Sequence, residues 1–132
     1  MSDMKETRQD IYDTGMKIRR AVVGDTYVDK SLASMDDFNR DLQNLITEYC
    51  WGAVWGRPGL ERRERSILNL GMLIALNRGS ELKLHVRGAL NNGISREEIS
   101  EIILQTAIYC GVPAGLEATR IAREVFAEVD KK

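Results

Sequence analysis

Apolar residues recur at helical spacing along this chain, and no stretch alternates apolar and polar residues for long enough to indicate a strand. The 132 residues include only two prolines, Pro58 and Pro113, so the helical pattern is seldom interrupted. A chain of this length is typical of one domain. We therefore expect a single all-α domain over residues 1–132, a bundle of about six helices with short connections.

Two helices are predicted before the segment WGRPG, residues 55–59, whose glycines and proline break the chain. Their apolar faces are marked by Ile11, Gly15, Ile18 and Val22 in the first and by Phe38, Leu42, Leu45 and Tyr49 in the second. Asp36 or Asp37 is expected to cap the second helix, because a short acidic side chain can accept hydrogen bonds from the first backbone N–H groups.

A third helix, predicted from about Glu61 to Leu76, has a charged first half and a second half, ILNLGMLIAL, that is apolar nearly all round. Such a helix must be covered on several sides, and a small domain offers little cover, so a homo-oligomer is expected. Residues 77–79 should form a tight turn, with Ser80 capping a fourth helix. The third and fourth helices would then form a central hairpin.

The remaining helix boundaries also carry recognisable signals. The fourth helix should end at Asn91-Asn92-Gly93, with Gly93 just beyond the cap. Ser95 and Glu98 have the spacing of a capping box at the start of a fifth helix. The pair Val112-Pro113 then separates this helix from the last one.

His85 is the chain's only histidine, and Glu81 precedes it by one helical turn. On a helix this spacing places both side chains on one face, with Cβ atoms about 5–6 Å apart. Histidine is the side chain whose ordinary pKa lies nearest neutral pH, so His85 is a candidate for moving protons. The alternative is an ordinary core or surface residue, because pairs with this spacing also arise by chance.

Several arginines surround the predicted hairpin: Arg57, Arg62, Arg63, Arg65, Arg78 and Arg87. A guanidinium group binds carboxylates through two parallel hydrogen bonds. A solvated helix face explains Arg62 and Arg63 well, whereas Arg57 lies in a loop, where binding residues are common. Trp51 and Trp55 beside it are either packing anchors or the wall of a small pocket.

Composition excludes several classes of function. The formal net charge is −1 and the charges are mixed along the chain, so no field attracts nucleic acid. The longest clean apolar run, Met72–Leu76, is far short of the ~20 residues of a membrane span. The N-terminal MSDMKETRQD lacks the apolar region of a secretory signal. We therefore expect a cytoplasmic protein that binds neither nucleic acid nor membrane.

Cys50 and Cys110 lie far apart in the sequence and form neither a C-x-x-C pair nor a metal-binding knuckle. With a single histidine, no zinc or other metal site is expected. In a cytoplasmic protein such residues are typically small, buried, reduced thiols, and we predict no catalytic role for them.

The stretch from Tyr49 to Gly115 resembles the γ-carboxymuconolactone decarboxylases. The resemblance rests on the tryptophan–glycine segment WGAVWGRPG, the run SELKLHVRGAL and the run YCGVPAG, in that order and spacing. It implies an AhpD-like helical bundle and a homohexamer built as a trimer of dimers. It also implies decarboxylation of 4-carboxymuconolactone to 3-oxoadipate enol-lactone and CO₂, in the degradation of protocatechuate and related aromatic compounds.

The wider superfamily includes the AhpD-type alkylhydroperoxidases, which carry C-x-x-C followed by three residues and then a histidine. Aligned on His85, those cysteines fall at Arg78 and Glu81, and the glutamate of their proton relay falls at Ser66. The resemblance therefore favours the decarboxylases. The alternatives are a redox relative that has lost its C-x-x-C, a decarboxylase of another small lactone, and a non-enzymatic helical assembly module.

The substrate that the resemblance implies is a lactone dicarboxylate that can accept the electrons of its own departing carboxylate, so no cofactor is expected. The protein must hold the distal carboxylate, and Arg57 is the first candidate and Arg78 the second. It must stabilise charge on the lactone oxygen and deliver a proton to carbon, roles suited to His85 and Glu81. Glu81 is expected to raise the pKa of His85 and keep it protonated. Which of the two donates the proton stays open.

Overall fold

A computed structural model describes residues 6–131, and every regular element in that range is helical. The contacts divide the chain into two compact units, one ending at Leu60 and the other beginning at Glu61. The first unit contains α1 (Arg8–Val23), α2 (Asp25–Ala33), and α3 (Arg40–Leu45), which continues into a π-helical segment (Ile46–Val54). The second contains α4 (Arg62–Ala75), α5 (Gly79–Asn91), α6 (Arg96–Cys110) and α7 (Val112–Asp130). The all-α prediction is confirmed, with seven α-helices in the described residues rather than about six.

In the first unit, α1 packs against the π-helical segment with almost no space between their backbones. A Cβ atom added to Gly15 would lie 2.0 Å from the carbonyl oxygen of Thr47, and one added to Gly52 would lie 2.3 Å from the carbonyl oxygen of Ile11. The absence of a side chain at both positions therefore permits this approach. Thr7 begins α1 with a capping box, which fixes the start of the helix.

Two features of this unit differ from the sequence predictions. Helix α2 was not predicted, because its apolar face is short and Val28 is its only buried residue. The predicted cap at Asp36 or Asp37 is wrong, since α3 begins after Asn39. The Asp36 carboxylate instead accepts hydrogen bonds from the backbone N–H groups of Phe38 and Asn39, at 3.0 and 3.3 Å, and so stabilises the preceding turn.

The apolar face predicted for the second helix, from Phe38 to Tyr49, is exposed rather than packed within the chain. The side chain of Phe38 is 98% exposed and that of Tyr49 is 63% exposed. Contiguous apolar surface of this kind is typical of a binding or assembly surface.

The second unit is organised around a core to which all four of its helices contribute. Its buried apolar residues are Leu70, Ile74, Leu82, Val86, Ala89, Ile94, Ile99, Ala118, Ile121, Ala122 and Val125. The predicted hairpin of α4 and α5 is confirmed. Helix α4 buries Leu70 and Ile74 but exposes Leu68, Met72 and Leu76, so one apolar face of this helix is left uncovered within the unit.

The turns of this unit follow the predicted signals except at the starts of α5 and α7. The predicted break at Val112-Pro113 is wrong, because both residues lie in the first turn of α7 and Gly111 alone separates α6 from α7. Ser80 lies inside the first turn of α5, and Arg78 is the N-cap, so the predicted cap is wrong. The Arg78 carbonyl already accepts the first helical hydrogen bond, from the N–H of Leu82 at 2.8 Å. At the other end, Gly93 has φ +89° and follows the C-cap Asn92, as predicted. The capping box at the start of α6 is also confirmed.

Ion pairs connect α7 to its neighbours on the outer surface of this unit. Glu128 pairs with Lys83 at 2.9 Å and with Arg87 at 2.8 Å, and Asp130 pairs with Arg96 at 2.6 Å. Arg87 is therefore engaged in holding α5 to α7. Across residues 6–131, no helix combines the length and the apolar character needed to cross a membrane.

Candidate functional site

Helix α5 positions Glu81 and His85. Leu82 and Val86, one helical turn apart, are buried in the core and fix the rotation of the helix about its axis. The residues immediately before them, Glu81 and His85, consequently lie at the edge of the buried face. Glu81 is exposed and His85 is half-buried, so a ligand could meet an acidic group in contact with solvent and an imidazole partly shielded from it.

Asn69 of α4 faces the imidazole of His85 across the hairpin. Its amide nitrogen Nδ2 lies 3.4 Å from Nδ1 of His85, in a partly buried position. The direction of this contact depends on which ring nitrogen carries the proton, because the amide can present either its N–H or its oxygen to the ring. Asn69 was not among the predicted site residues, although it is the single polar side chain in the run ILNLGMLIAL.

The protonation of His85 differs from the prediction. Burial lowers the pKa of His85, and the negative charge of Glu81 raises it, but burial has the larger effect and the net pKa is below 6.5. Glu81 thus acts in the predicted direction, whereas the expectation that it keeps His85 protonated is wrong. A neutral imidazole is suited to donating a hydrogen bond to an oxygen that gains negative charge.

The arginines of the second unit have different surroundings. Arg63 forms an ion pair with Glu98, and Arg87 forms one with Glu128, so both join helices. Arg62 is exposed on the surface. Arg78 is the exposed N-cap residue of α5, and it lies about one helical turn before Glu81. Of the predicted site residues, Arg78, Glu81 and His85 thus lie on the same hairpin.

The other predicted site residues belong to the first unit. Trp51 and Trp55 are buried, with ring centroids 4.7 Å apart and ring planes inclined at 40°. This geometry is favourable for aromatic packing and stabilises the end of the π-helical segment. Arg57 lies just beyond, in an exposed turn where its N–H donates to the carbonyl of Val54 at 3.1 Å. A role of these three residues in substrate binding stays a prediction.

Both cysteines are free and exposed, so the prediction that they are buried is wrong. Partial burial of the sulfur raises the pKa of Cys50, and the charge of Arg19 opposes that shift only in part. The Cys50 thiol is therefore a poor nucleophile at neutral pH, because the thiolate is the reactive form. Within residues 6–131, no group of three or more His, Cys, Asp or Glu side chains is placed to hold a metal ion.

Ser66, at the position aligned with the relay glutamate of the alkylhydroperoxidases, is fully buried. Its hydroxyl accepts a hydrogen bond from Nδ2 of Asn92 at 2.8 Å. This contact joins the start of α4 to the end of α5. Ser66 therefore has a structural function in the hairpin.

The sequence of this chain is similar to those of several known proteins. A family model described as the carboxymuconolactone decarboxylase family matches residues 40–124. The chain is 42% identical to a 4-carboxymuconolactone decarboxylase of Acinetobacter baylyi, over 89% of this chain and 88% of that protein. It is 44% identical to the nitrosuccinic acid decarboxylase npaB of Metarhizium robertsii, over 96% of this chain and 89% of that protein.

A third relative, a 4-carboxymuconolactone decarboxylase of Pseudomonas putida, is 49% identical over 41 residues, which are 31% of this chain and 85% of that sequence. The family model covers more than half of the chain, and the first two relatives match it over nearly their whole lengths. This chain belongs to the carboxymuconolactone decarboxylase family.

Proposed function

We propose that this carboxy-lyase decarboxylates 4-carboxymuconolactone to 3-oxoadipate enol-lactone without a cofactor. The observation that carries the proposal is the 42% identity to a 4-carboxymuconolactone decarboxylase over 89% of the chain. The half-buried histidine on the α4–α5 hairpin supports it, because the reaction develops negative charge on an oxygen that a neutral imidazole can stabilise.

The substrate supplies its own electron sink. One ring carbon of the γ-lactone carries both the carboxylate that leaves and a CH₂–carboxylate arm. When the carbon–carboxylate bond breaks, its electron pair forms a new ring double bond, and the pair of the old double bond moves onto the lactone carbonyl to give a dienolate. CO₂ departs, and the carbon beside the carbonyl then takes one proton. The dianionic substrate and one proton thus give the monoanionic product and CO₂.

Each step assigns a role to a residue of the chain. His85 donates a ring N–H to the lactone oxygen as the dienolate forms. Glu81 is exposed and one turn away, and it relays a proton from solvent to the ring carbon. Arg57 or Arg78 binds the CH₂–carboxylate arm through its guanidinium group.

The second candidate substrate is nitrosuccinic acid. The 44% identity to the decarboxylase from Metarhizium robertsii, over 96% of the chain, favours it. Both compounds contain the same unit, a carbon that bears a carboxylate, a CH₂–carboxylate arm and an electron-withdrawing group. In nitrosuccinic acid the nitro group takes the electron pair that the lactone carbonyl takes in the other substrate. One arginine and one oxygen-stabilising donor would therefore serve both reactions.

The test is CO₂ release by the purified protein from each compound, with kcat/KM compared between them. We expect release from 4-carboxymuconolactone, and a His85→Gln variant that loses about 10²- to 10³-fold in kcat, the value of one oxyanion-stabilising donor. A higher kcat/KM for nitrosuccinic acid would assign the second substrate. Absence of CO₂ from both compounds, with a folded protein, would contradict the proposal.

A further inference from the structure

We infer that Arg19 is a positioning residue, which selects the register of the π-helical segment against α1. Its guanidinium group donates from Nη1 to Oγ1 of Thr47 at 3.0 Å and from Nη2 to Oε1 of Gln43 at 3.1 Å. Gln43 lies in α3, and Thr47 lies one turn further along, in the π-helical segment. The two contacts therefore join α1 to the chain on both sides of the point where the π-helical segment begins.

The charge of Arg19 is buried without a carboxylate beside it. The residue is 3% exposed, and a guanidinium group stays protonated at any pH at which the protein is folded. A buried arginine is ordinarily paired with an acidic side chain. Within residues 6–131, however, Arg19 has only neutral neighbours: its two oxygen acceptors, the ring of Tyr27 at 6.0 Å, and the thiol of Cys50 within range of its charge.

A buried charge of this kind is a weak stabilising device, because neutral acceptors offset the cost of its desolvation only in part. Its best-documented benefit is that it fixes one register between packed helices, since other registers leave the charge without acceptors. Arg19 has the geometry for this role. Its planar fork reaches Gln43 and Thr47 together, and a shift of the segment by one residue would carry both acceptors away.

Helix α1 holds Thr47 at a second point. The hydroxyl of Thr47 accepts from Arg19, and its carbonyl oxygen lies only 2.0 Å from where a Cβ atom on Gly15 would be. Gly15 and Arg19 are one turn apart, so the same face of α1 contacts the side chain and the backbone of one residue. Gly15 permits the close approach of the two backbones. Arg19 selects the residue that makes it, because a hydroxyl at this position is the acceptor for Nη1.

A π-helical segment needs such selection, because the same residues could form an α-helix. π-Helical pairing is rare and occurs mostly as short segments. Here the N–H of Trp55 donates to the carbonyl of Cys50 at 2.9 Å, whereas α-helical pairing would use the carbonyl of Trp51. With Thr47 anchored against α1, the directions of Trp51 and Trp55, about one and two turns later, follow from the pairing. The contacts of Arg19 thus set the geometry of the tryptophan pair.

The two tryptophans of the chain make this register measurable. Their ring centroids are 4.7 Å apart and their planes are inclined at 40°, so their electronic transitions should couple and give an exciton couplet in the circular dichroism spectrum. The couplet depends on the distance and angle between the rings, and a change of register alters it even if helix content is constant. Arg19→Met removes the charge and both donors at similar side-chain length. We expect this variant to lose most of the couplet and to keep its helical signal.

The urea midpoint separates positioning from stabilisation. Replacement of buried charged groups by apolar side chains of similar size is often neutral or stabilising, so the midpoint of Arg19→Met should equal or exceed that of wild type. A residue that only stabilised the fold would behave in the opposite way. A lowered midpoint with a wild-type couplet in the folded protein would contradict the inference.

Arg20→Met is the matched control. Arg20 is the next residue of α1, and it pairs with Asp25 and Asp29 of α2, at 3.0 and 2.9 Å, rather than with the π-helical segment. This variant loses the same charge from the same helix and should keep the wild-type couplet. If Arg20→Met changed the couplet as much as Arg19→Met, the contacts of Arg19 would not be the cause, and the inference would be wrong.

Thr47→Val tests the same contact from the other side. It removes the acceptor in the π-helical segment, keeps the shape of the side chain and leaves Arg19 in place. We expect it to change the couplet in the same direction as Arg19→Met, and its couplet decides the question if Arg19→Met does not fold. A wild-type couplet in either folded variant would overturn the inference. The measurement needs no substrate, so its outcome is independent of CO₂ release.

Discussion

Replacement of Gly15 by alanine should destabilise the protein, although alanine is ordinarily the better residue inside a helix. Gly15 lies in the middle of α1, where an alanine would gain about 1 kcal/mol in helix propensity. Its Cβ, however, would lie 2.0 Å from the carbonyl oxygen of Thr47 and 2.7 Å from the backbone nitrogen of Gly52. Both contacts are with backbone atoms, so no side chain can rotate away.

The size of the effect follows from these distances. The Cβ would have to retreat from 2.0 Å to the 3.4 Å at which ordinary contact begins, which separates α1 from the π-helical segment. Overpacking that shifts backbone costs about 3 kcal/mol at the upper end of its usual range. After the gain in helix propensity, the net loss of stability is about 2 kcal/mol.

Urea unfolding at a fixed protein concentration measures this difference through the midpoint, provided that the slope is unchanged. Gly79→Ala is the matched control, because its Cβ would meet only the end of the Ile121 side chain, at 3.4 Å. We expect this control to be neutral or more stable by up to about 1 kcal/mol. If Gly15→Ala were as stable as Gly79→Ala, the close backbone contact that we describe would be refuted.

Four further outcomes are expected. Arg57→Ala or Arg78→Ala should lower kcat/KM by about 10- to 150-fold, corresponding to the loss of about 1.5–3 kcal/mol from a charged contact; values near wild type for both would place the carboxylate anchor elsewhere. Changing Cys50 and Cys110 together to serine should leave turnover within a few-fold of wild type, and a loss of orders of magnitude in the folded variant would favour redox chemistry. Because burial lowers the pKa of His85 in the folded state, the unfolded chain binds that proton more readily; stability should therefore fall as the pH drops through 6.5 and level off below the lowered native pKa. His85→Asn should remove this component of the pH dependence, as measured by urea unfolding at a series of pH values. Finally, the exposed apolar face of α4 should be covered by another copy of the chain, so light scattering should show an oligomer at micromolar concentration, and a stable monomer would contradict this.

The hairpin was predictable because its signals are local. A strongly apolar helix, a turn and a glycine beyond the C-cap lie in order along the chain, and each has a known conformational preference. The N-cap of α5 was predicted wrongly because Arg78 caps the helix without a side-chain hydrogen bond, so the residue type at this position gives no capping signal. Helix α2 was missed because burial of a single residue, Val28, produces no periodic pattern.

The candidate site was predictable only in part, for a different reason. Glu81 and His85 share one helix, so spacing alone relates them. Asn69 reaches His85 from another helix, and the register between two helices depends on packing along both. The exposure of Cys50 and Cys110 could not be predicted either, because a sequence pattern does not distinguish an apolar face in the core from one that is left uncovered.

In the π-helical segment, the number of residues is as important as their identity for the direction in which the following side chains point. The N–H of Trp55 donates to the carbonyl of Cys50, five residues earlier, at 2.9 Å. Deletion of one residue between 46 and 54 would allow ordinary α-helical pairing and keep the segment helical. It would also rotate the side chains that follow the deletion within this helical segment by about 100°, one residue's turn of an α-helix. In an alignment of relatives, a single-residue gap at this place would therefore signify a reorientation of the tryptophan pair and of the Arg57 turn.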